Sequence, residues 1–235
     1  MSLIRVAIGV DYREVTGYHV LCHSIMRRAS KPVSFIPIAL NNLDGLITRE
    51  RNPLQSTEFS FSRFLAPYLC NYEGWVIFMD SDIVAIDDIA KLWALRDDRY
   101  AVMCVQHDHR PAGEIKFLGA AQTKYEKKNW SSVMMMNCAK CTALTPEYVN
   151  TATGLELHRF QWLGNDDLIG AIPPAWNHLV GYSEGALEEQ ALLHYTEGGP
   201  YFKAYENTKW ADVWRLEHDH MNRVIEKPLS EHMGK

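Results

Sequence analysis

The sequence predicts one α/β domain: an open, mixed and mostly parallel sheet flanked by helices, in a Rossmann-like arrangement. Three observations lead there. Short apolar runs of strand length alternate with segments of helical period, and 235 residues suit a single domain of that kind. Two acidic residues, Asp11 and Asp80, directly follow apolar runs, at the strand ends beyond which such sheets bind ligands. No internal repeat or low-complexity linker divides the chain, so residues 1–235 are read as one domain.

The first apolar run, Leu3 to Val10, is broken by Arg5 and reads as a strand covered on both faces. From Thr16, the residues Tyr18, Leu21, Cys22, Ile25, Met26 and Ala29 recur at steps of three and four, which gives one face of a helix. Val33 to Leu40 reads as a second strand, with Pro37 confining it to an edge or a bulge. Asn41 to Glu58 has no clear period. Phe59 to Leu69 reads as a helix ending near Pro67 or shortly after. Trp75 to Met79 is a short strand delivered by Gly74, and Asp80-Ser81-Asp82 follows at once. Asp87 and Asp88 are placed to cap a helix through Ile89, Leu92, Trp93 and Leu95. Ala101 to Val105 makes another strand, Ser132 to Met136 a further apolar run, and Thr145-Pro146-Glu147 a helix start with Pro in the first helical position. The last third is less regular: Trp162 to Ile172, Trp176-Asn177, Ala191 to Phe202, and an amphipathic end around Trp210 to Met221.

An apolar fraction of 47% and a charged fraction of 23% describe an ordinary globular chain, and a net charge of -5 provides no basic field for nucleic acid. The five cysteines are odd in number and lie mostly in apolar segments, as reduced core thiols do, which favours a reducing compartment. No apolar run approaches the roughly 18 to 20 residues that cross a bilayer, and the amino terminus has no leader-like pattern. The expectation is a soluble, cytoplasmic protein.

Two carboxylates at i and i+2 after a strand can turn toward one cation where the strand's alternation breaks at Ser81. A hard ion such as Mn²⁺ or Mg²⁺ takes oxygen ligands and can bridge diphosphate oxygens as well. The plain alternative is that Asp80 and Asp82 cap a helix or solvate a turn. Their position after an apolar run, in the middle of an α/β chain, favours the ligand site. For Asp11 and Tyr12, contact with the base and ribose of a nucleotide and an ordinary strand-end turn stand level.

Trp75 to Val84, with Ile86-Asp87-Asp88-Ile89 and Leu92-Trp93, resembles the D-x-D region of family 8 glycosyltransferases, which include glycogenin and bacterial galactosyltransferases. Other pieces fall in the same order. Arg63, in Phe61-Ser62-Arg63-Phe64, looks like the family arginine near the donor. Ser131-Ser132-Val133, the methionine run and Asn137 are similar to the strand lining the sugar pocket. Asn165-Asp166-Asp167-Leu168-Ile169 followed by Trp176-Asn177 resembles the acidic-Gln-acidic segment and its Trp-Asn. His194-Tyr195-Thr196 and Gly198 look like the late motif whose histidine is the third metal ligand.

This resemblance, from Ile4 to about Phe202, implies a GT-A fold, a Mn²⁺ or Mg²⁺ cofactor and a nucleotide-diphosphate sugar, commonly UDP-linked. It also implies transfer of a hexose with retention of configuration to a carbohydrate, lipid-linked or protein acceptor. Asp80, Asp82 and His194 are the implied metal ligands. Val10, Asp11, Tyr12, Arg63, Asp80, Ser81, Asp82, Ser132 and Lys203 are the candidates for donor contact, and Asp166, Asp167 and Arg63 the candidates for catalysis. The sequence departs from the family where Gly199-Pro200-Tyr201-Phe202 replaces the usual Lys-Pro-Trp, leaving Lys203 as the nearest phosphate-binding lysine. Trp130 stands where Asn is common and Asp166 where Gln is common, which bears on sugar selectivity.

Two rivals remain open at this stage. A haloacid-dehalogenase-like, Mg²⁺-dependent phosphatase would use Asp80 as nucleophile and Asp82 as acid-base in D-x-D-x-[TV], although that motif normally opens its domain. A sugar-nucleotide-binding protein without turnover would explain the missing lysine. Cys138-Ala139-Lys140-Cys141 lacks a second pair for zinc. His107-Asp108-His109 and His218-Asp219-His220 read as solvated segments, and Asn129-Trp130-Ser131 is a glycosylation acceptor without meaning in a cytosolic protein.

Overall fold

The computed structural model describes residues 3–51, 55–108 and 126–223, with the backbone of 115–116 and 120–121. Its strands are β1 (Ile4–Gly9), β2 (Val33–Ile38), β3 (Trp75–Met79), β4 (Ile83–Ala85), β5 (Val102–Cys104), β6 (Ile115–Lys116), β7 (Ala120–Ala121), β8 (Val133–Asn137), β9 (Ile169–Ala171), β10 (His178–Leu179) and β11 (Leu192–His194). The helices are α1 (Val15–Arg28), α2 (Ala66–Leu69), α3 (Ile89–Ala94), α4 (Pro146–Thr151), α5 (Gly154–His158) and α6 (Ala211–Met221), joined by several 3₁₀ turns.

Six strands form the main sheet in the order β2-β1-β3-β8-β5-β9, three form a smaller sheet β10-β11-β4, and β6 pairs with β7. In the main sheet β8 runs antiparallel to both β3 and β5, and the other pairings are parallel. The fold is thus a mixed α/β sheet: the alternating pattern predicts its parallel strands, and the antiparallel β8 in its middle makes it mixed.

The unbroken apolar runs of β1 and β3 follow from burial on both faces. Val6, Ile8, Ile77 and Met79 pack with Leu21 and Ile25 of α1, whereas Ala7, Val76 and Phe78 pack on the opposite face with Phe59, Phe64 and Leu157. Truncating fully buried Phe78 to Ala would cost about 3–5 kcal/mol through lost burial and the cavity left behind. Pro37 sits in β2, whose one ladder neighbour is β1, so its missing N–H falls on the open edge. Asp88 caps α3 by accepting from Ala90 N, and Thr145 caps α4 by accepting from Tyr148 N, with Pro146 in the first helical turn.

One expected element differs. The helix read over Phe59 to Leu69 is a 3₁₀ turn, Ser62–Leu65, followed by the single α-helical turn of α2. Pro67 lies in the first turn of α2, where a missing N–H costs little, and the helix ends shortly after it, at Leu69, as expected. The small sheet β10-β11-β4 has no counterpart in the sequence reading, because strands of two and three residues are too short to show a period. His109 lies outside the described residues. Cys22, Cys70, Cys104, Cys138 and Cys141 are all buried and free, and no helix among the described residues is long and apolar enough to cross a membrane.

Candidate active site

Beyond Met79 the ladder between β3 and β8 closes with Asp80 N donating to Ser132 O at 2.9 Å, and the chain then leaves the main sheet. It enters β4, which pairs antiparallel with β11 so that Ile83 stands opposite His194. Tyr195 N donates to Asp82 O at 2.9 Å. These backbone bonds carry the two aspartates of one turn and a histidine from much later in the chain to one place. Ligand atoms of Asp80, Asp82 and His194 all lie within 4.8 Å of one another. That is close to the span of about 4 Å between atoms on opposite sides of a divalent ion bound at about 2.1 Å.

His194, 2% exposed, is held by a hydrogen-bonded chain. Ser132 Oγ donates to Asn129 O at 2.7 Å, so it accepts from Asn177 Nδ2 at 2.9 Å. This leaves Asn177 Oδ1 as the acceptor for His194 Nδ1, also at 2.9 Å. In the neutral imidazole His194 Nε2 then turns its lone pair toward Asp82 Oδ1, 3.2 Å away. A lone pair so close to a carboxylate oxygen repels it unless a positive charge lies between them, and Asp82 Oδ1 is shielded from solvent with no hydrogen-bond donor of its own. The donor set, two carboxylates and an oriented imidazole backed by an amide, therefore fits a divalent cation.

Arg63 is 5% exposed. Its Nη1 lies 2.8 Å from Asp80 Oδ1 and donates to Ser131 O at 3.0 Å. The guanidinium lies about equally far from the rings of Phe59 and Phe78, at 5.2 and 5.1 Å. The 3₁₀ turn before α2 aims it under the aspartate turn from the core side.

On the other side, buried Glu14 accepts from Ser81 Oγ at 3.2 Å and from Tyr201 OH at 2.8 Å. Burial, reinforced by the charge of Asp82, pushes the Glu14 carboxyl up to about 8. The sequence reading passed over Glu14: it stands before α1, far along the chain from Ser81, and no local pattern marks it.

Asp11 is fully buried and locked. Its Oδ1 accepts from Arg13 N and Nε, and its Oδ2 takes a short contact from Arg13 Nη2 and a bond from Glu58 N at 3.1 Å. Burial works to raise its pKa, but the hydrogen bonds and charge of Arg13 prevail and hold it below the usual aspartate value. Asp11 thus ties the loop after β1 to residues 56–58, where Arg13 also reaches Ser56 O. Tyr12 is 56% exposed, its hydroxyl bonded to Asn41 Oδ1, and Val10 is buried with its N–H on Ile38 O.

The structure thus brings together Asp80, Ser81, Asp82, Ser132, Arg63 and His194. It does not bring the remaining candidates into the same contacts. Asp166 is 72% exposed and paired with Lys127 at 2.5 Å. Asp167 is exposed and bonded to Asn165. Lys203 is exposed in a 3₁₀ turn, Lys203–Tyr205.

Comparison with known proteins finds relatives over nearly the whole chain. Over 231 residues the chain is 47% identical to Protein CDI of Arabidopsis thaliana, covering 95% of this chain and 89% of that protein. It is 29% identical over 119 residues to probable galacturonosyltransferase-like 7 of the same plant, covering 39% of this chain and 33% of the other. Among solved structures, the galactosyltransferase LgtC in complex with donor and acceptor sugar analogs superposes with a TM-score of 0.58 at 12% identity, covering 95% of this chain and 98% of that one. The glycosyltransferase GlyE of Streptococcus pneumoniae TIGR4 gives 0.62 at 14% identity, over 93% and 60%. The bifunctional glycosyltransferase WbbM gives 0.61 at 16% identity, over 98% of this chain but about half, 51%, of its own length. These likenesses establish the GT-A fold. They set aside the phosphatase reading, since the D-x-D lies in a glycosyltransferase framework and not at the opening of a phosphatase domain. Residues 11–143 match the model of glycosyl transferase family 8, and the chain belongs to that family of glycosyltransferases.

Proposed function

We propose that the protein transfers a hexose from a nucleotide-diphosphate sugar, most simply a UDP-sugar, to a carbohydrate, lipid-linked or protein acceptor, with retention of configuration and with a divalent metal. The observation that carries the reading is the convergence of Asp80, Asp82 and His194 on one point beyond the carboxyl end of β3. Galactosyl- and galacturonosyl-transferase in the names of similar proteins support a hexose-type donor. Two carboxylates and one imidazole suit Mn²⁺ better than Mg²⁺, which prefers oxygen ligands throughout.

Bound there, the cation would act as a Lewis acid toward the charge that develops on the departing diphosphate. The chain's own residues do the rest. Arg63 fixes Asp80, and the Asn177–His194 bond orients the imidazole. Tyr12, exposed in the loop after β1, is the aromatic candidate for the base and ribose, and Ser132 is the candidate to border the donor sugar. Asp166 or Asp167 is the candidate for a carboxylate near the sugar, and Lys203 for a phosphate contact. The acceptor hydroxyl is oriented by binding the rest of the acceptor.

The test is a thermal-shift screen of nucleotide sugars with and without Mn²⁺, followed by donor turnover in the best pair. A UDP-sugar that raises the melting temperature only with metal, and is turned over by wild type but not by Asp82→Ala, is the expected result. Metal-independent turnover that survives both chelation and Asp82→Ala would refute the reading. Donor binding without any sugar release would replace it with the non-catalytic one.

A further inference from the structure

We propose that Glu14 is a positioning residue for the metal site, holding the Asp80-Ser81-Asp82 turn through Ser81 and tying it to the 198–202 loop through Tyr201. The inference rests on the metal reading above and concerns residues that reading does not use.

Glu14 occupies the N-cap position of α1, yet its side chain makes no cap hydrogen bond. It is 3% exposed, and its carboxyl oxygens meet two hydroxyls, Ser81 Oγ and Tyr201 OH. Burying a carboxyl group with two neutral donors and no ion pair is costly, so its retention calls for a geometric reason. Ser81, at 0% exposure, is the middle residue of the metal-binding turn. Backbone bonds fix its two flanks, Asp80 N to Ser132 O and Asp82 O to Tyr195 N, both at 2.9 Å. Glu14 supplies the side-chain anchor at its centre.

Two glycines show that this contact is built into the packing. A Cβ at Gly17, one turn into α1, would lie 2.8 Å from Ser81 O and 3.0 Å from Tyr201 OH, so the helix approaches the turn as closely as a glycine permits. A Cβ at Gly199 would lie 2.1 Å from Tyr201 Cε1 and 2.4 Å from Cζ. Position 199 therefore cannot carry a side chain while the Tyr201 ring points inward to Glu14. The absence of a lysine in this loop and the Tyr201–Glu14 bond are parts of one arrangement. Tyr201 in turn packs on Trp214 of α6, 5.1 Å between ring centroids, which extends the strut to the far helix.

The test titrates the donor-free full chain with Mn²⁺ by calorimetry, for wild type, Glu14→Ala, Glu14→Gln and Tyr201→Phe, with melting temperatures in parallel. Glu14→Ala should weaken Mn²⁺ binding about 10- to 100-fold, as loss of a residue supporting metal ligands does. Glu14→Gln, which keeps an acceptor for Ser81 and a partner for Tyr201, should bind Mn²⁺ as wild type does. Tyr201→Phe should fall between Ala and wild type, and it decides the matter if Glu14→Ala does not fold. Unchanged Mn²⁺ affinity in Glu14→Ala or Tyr201→Phe overturns the proposal, even if melting temperatures drop. Equal weakening in Gln and Ala overturns it too, because then charge and not position matters. A wild-type protein that binds no Mn²⁺ defeats the metal reading and this proposal with it, whereas wild-type binding matched by every variant defeats only the role of Glu14.

Discussion

Replacing Asn177 with Leu is the sharpest probe of the proposed metal site, because Asn177 sets the histidine without touching the place where a cation would sit. Asn177 is fully buried; it accepts from His194 Nδ1 and donates to Ser132 Oγ, both at 2.9 Å, and its Nδ2 also donates to Asn129 O at 3.4 Å. Leu keeps the approximate volume and removes all three. His194 Nδ1 then loses its acceptor, and the imidazole gains by carrying its proton on Nε2, where Asp82 Oδ1 waits at 3.2 Å. A cation must undo that new hydrogen bond, whose acceptor is charged and which is worth about 1.5–3 kcal/mol. At about 1.4 kcal/mol per tenfold, Mn²⁺ affinity should fall about 10- to 150-fold. Calorimetric titration at fixed pH measures this directly. Asn177→Asp, which keeps an acceptor for Nδ1, should retain more affinity than Leu, and Ser132→Ala, which leaves Asn177 Nδ2 its bond to Asn129 O and Asn177 Oδ1 its bond to His194, should lose less. If folded Asn177→Leu binds Mn²⁺ within about twofold of wild type, the tautomer argument is wrong.

Other perturbations test the frame around the site. Arg63→Lys exchanges a planar fork, held by Asp80 and Ser131 and flanked by Phe59 and Phe78, for a point charge that cannot reproduce the stacking. It should cost about 1–3 kcal/mol of stability and raise the KM for donor, as read by urea melts and kinetics. Glu217, 2% exposed on α6, joins Arg27, Arg28 and His23 of α1. Burial works to raise its pKa, but hydrogen bonds and charge from Arg27 and Arg28 outweigh it and lower the value. A depressed carboxyl stabilises fully above its ordinary value of 4.5 and loses that contribution as pH falls through the folded value. Glu217→Gln should therefore lower stability at pH 7, by about 1 kcal/mol given solvent screening of the partly exposed arginines, and flatten the acid limb of the stability curve. Thr145→Ala removes the cap on Tyr148 N and should cost about 1 kcal/mol, a fall in melting temperature of about 2–4 °C for a chain of this size.

How much of this was legible follows from the range of each interaction. The strand Trp75–Met79 and the pair Asp80 and Asp82 are local, and the sequence shows them because a buried strand is a run and a strand end is its boundary. The caps Asp88 and Thr145 are equally local. Arg63 and His194 emerged only through the order of family motifs, since their meeting with the aspartates depends on a 3₁₀ turn and on pairing between two three-residue strands. Phe59 to Leu69 misled because helical spacing of aromatics also fits 3₁₀ and α turns placed end to end around Pro67. Glu14 was invisible: its partners, Ser81 and Tyr201, lie 67 and 187 residues away. Asp11 was weighed evenly between a nucleotide contact and a strand-end turn. The bonds it makes are those of a loop clamp, and Tyr12 beside it is exposed.

The distribution of charge explains why a cation and the donor should depend on each other. Asp11 is paired with Arg13, and Asp80 with Arg63. Asp82 faces the imidazole of His194, while Glu14 is pushed toward its neutral form partly by the charge of Asp82. Negative charge is therefore least compensated at Asp82, where the leaving diphosphate of the proposed donor would have to come closest. The loop that in the family offers a lysine here offers Gly199 and an inward Tyr201 already bonded to Glu14. A diphosphate approaching this turn without metal meets repulsion that Arg63, committed to Asp80 and Ser131, is poorly placed to relieve. A cation held by Asp80, Asp82 and His194, as proposed, would reverse the sign of the local field. Because coupling between two ligands is reciprocal, a donor that binds only with the cation must tighten the cation by the same factor.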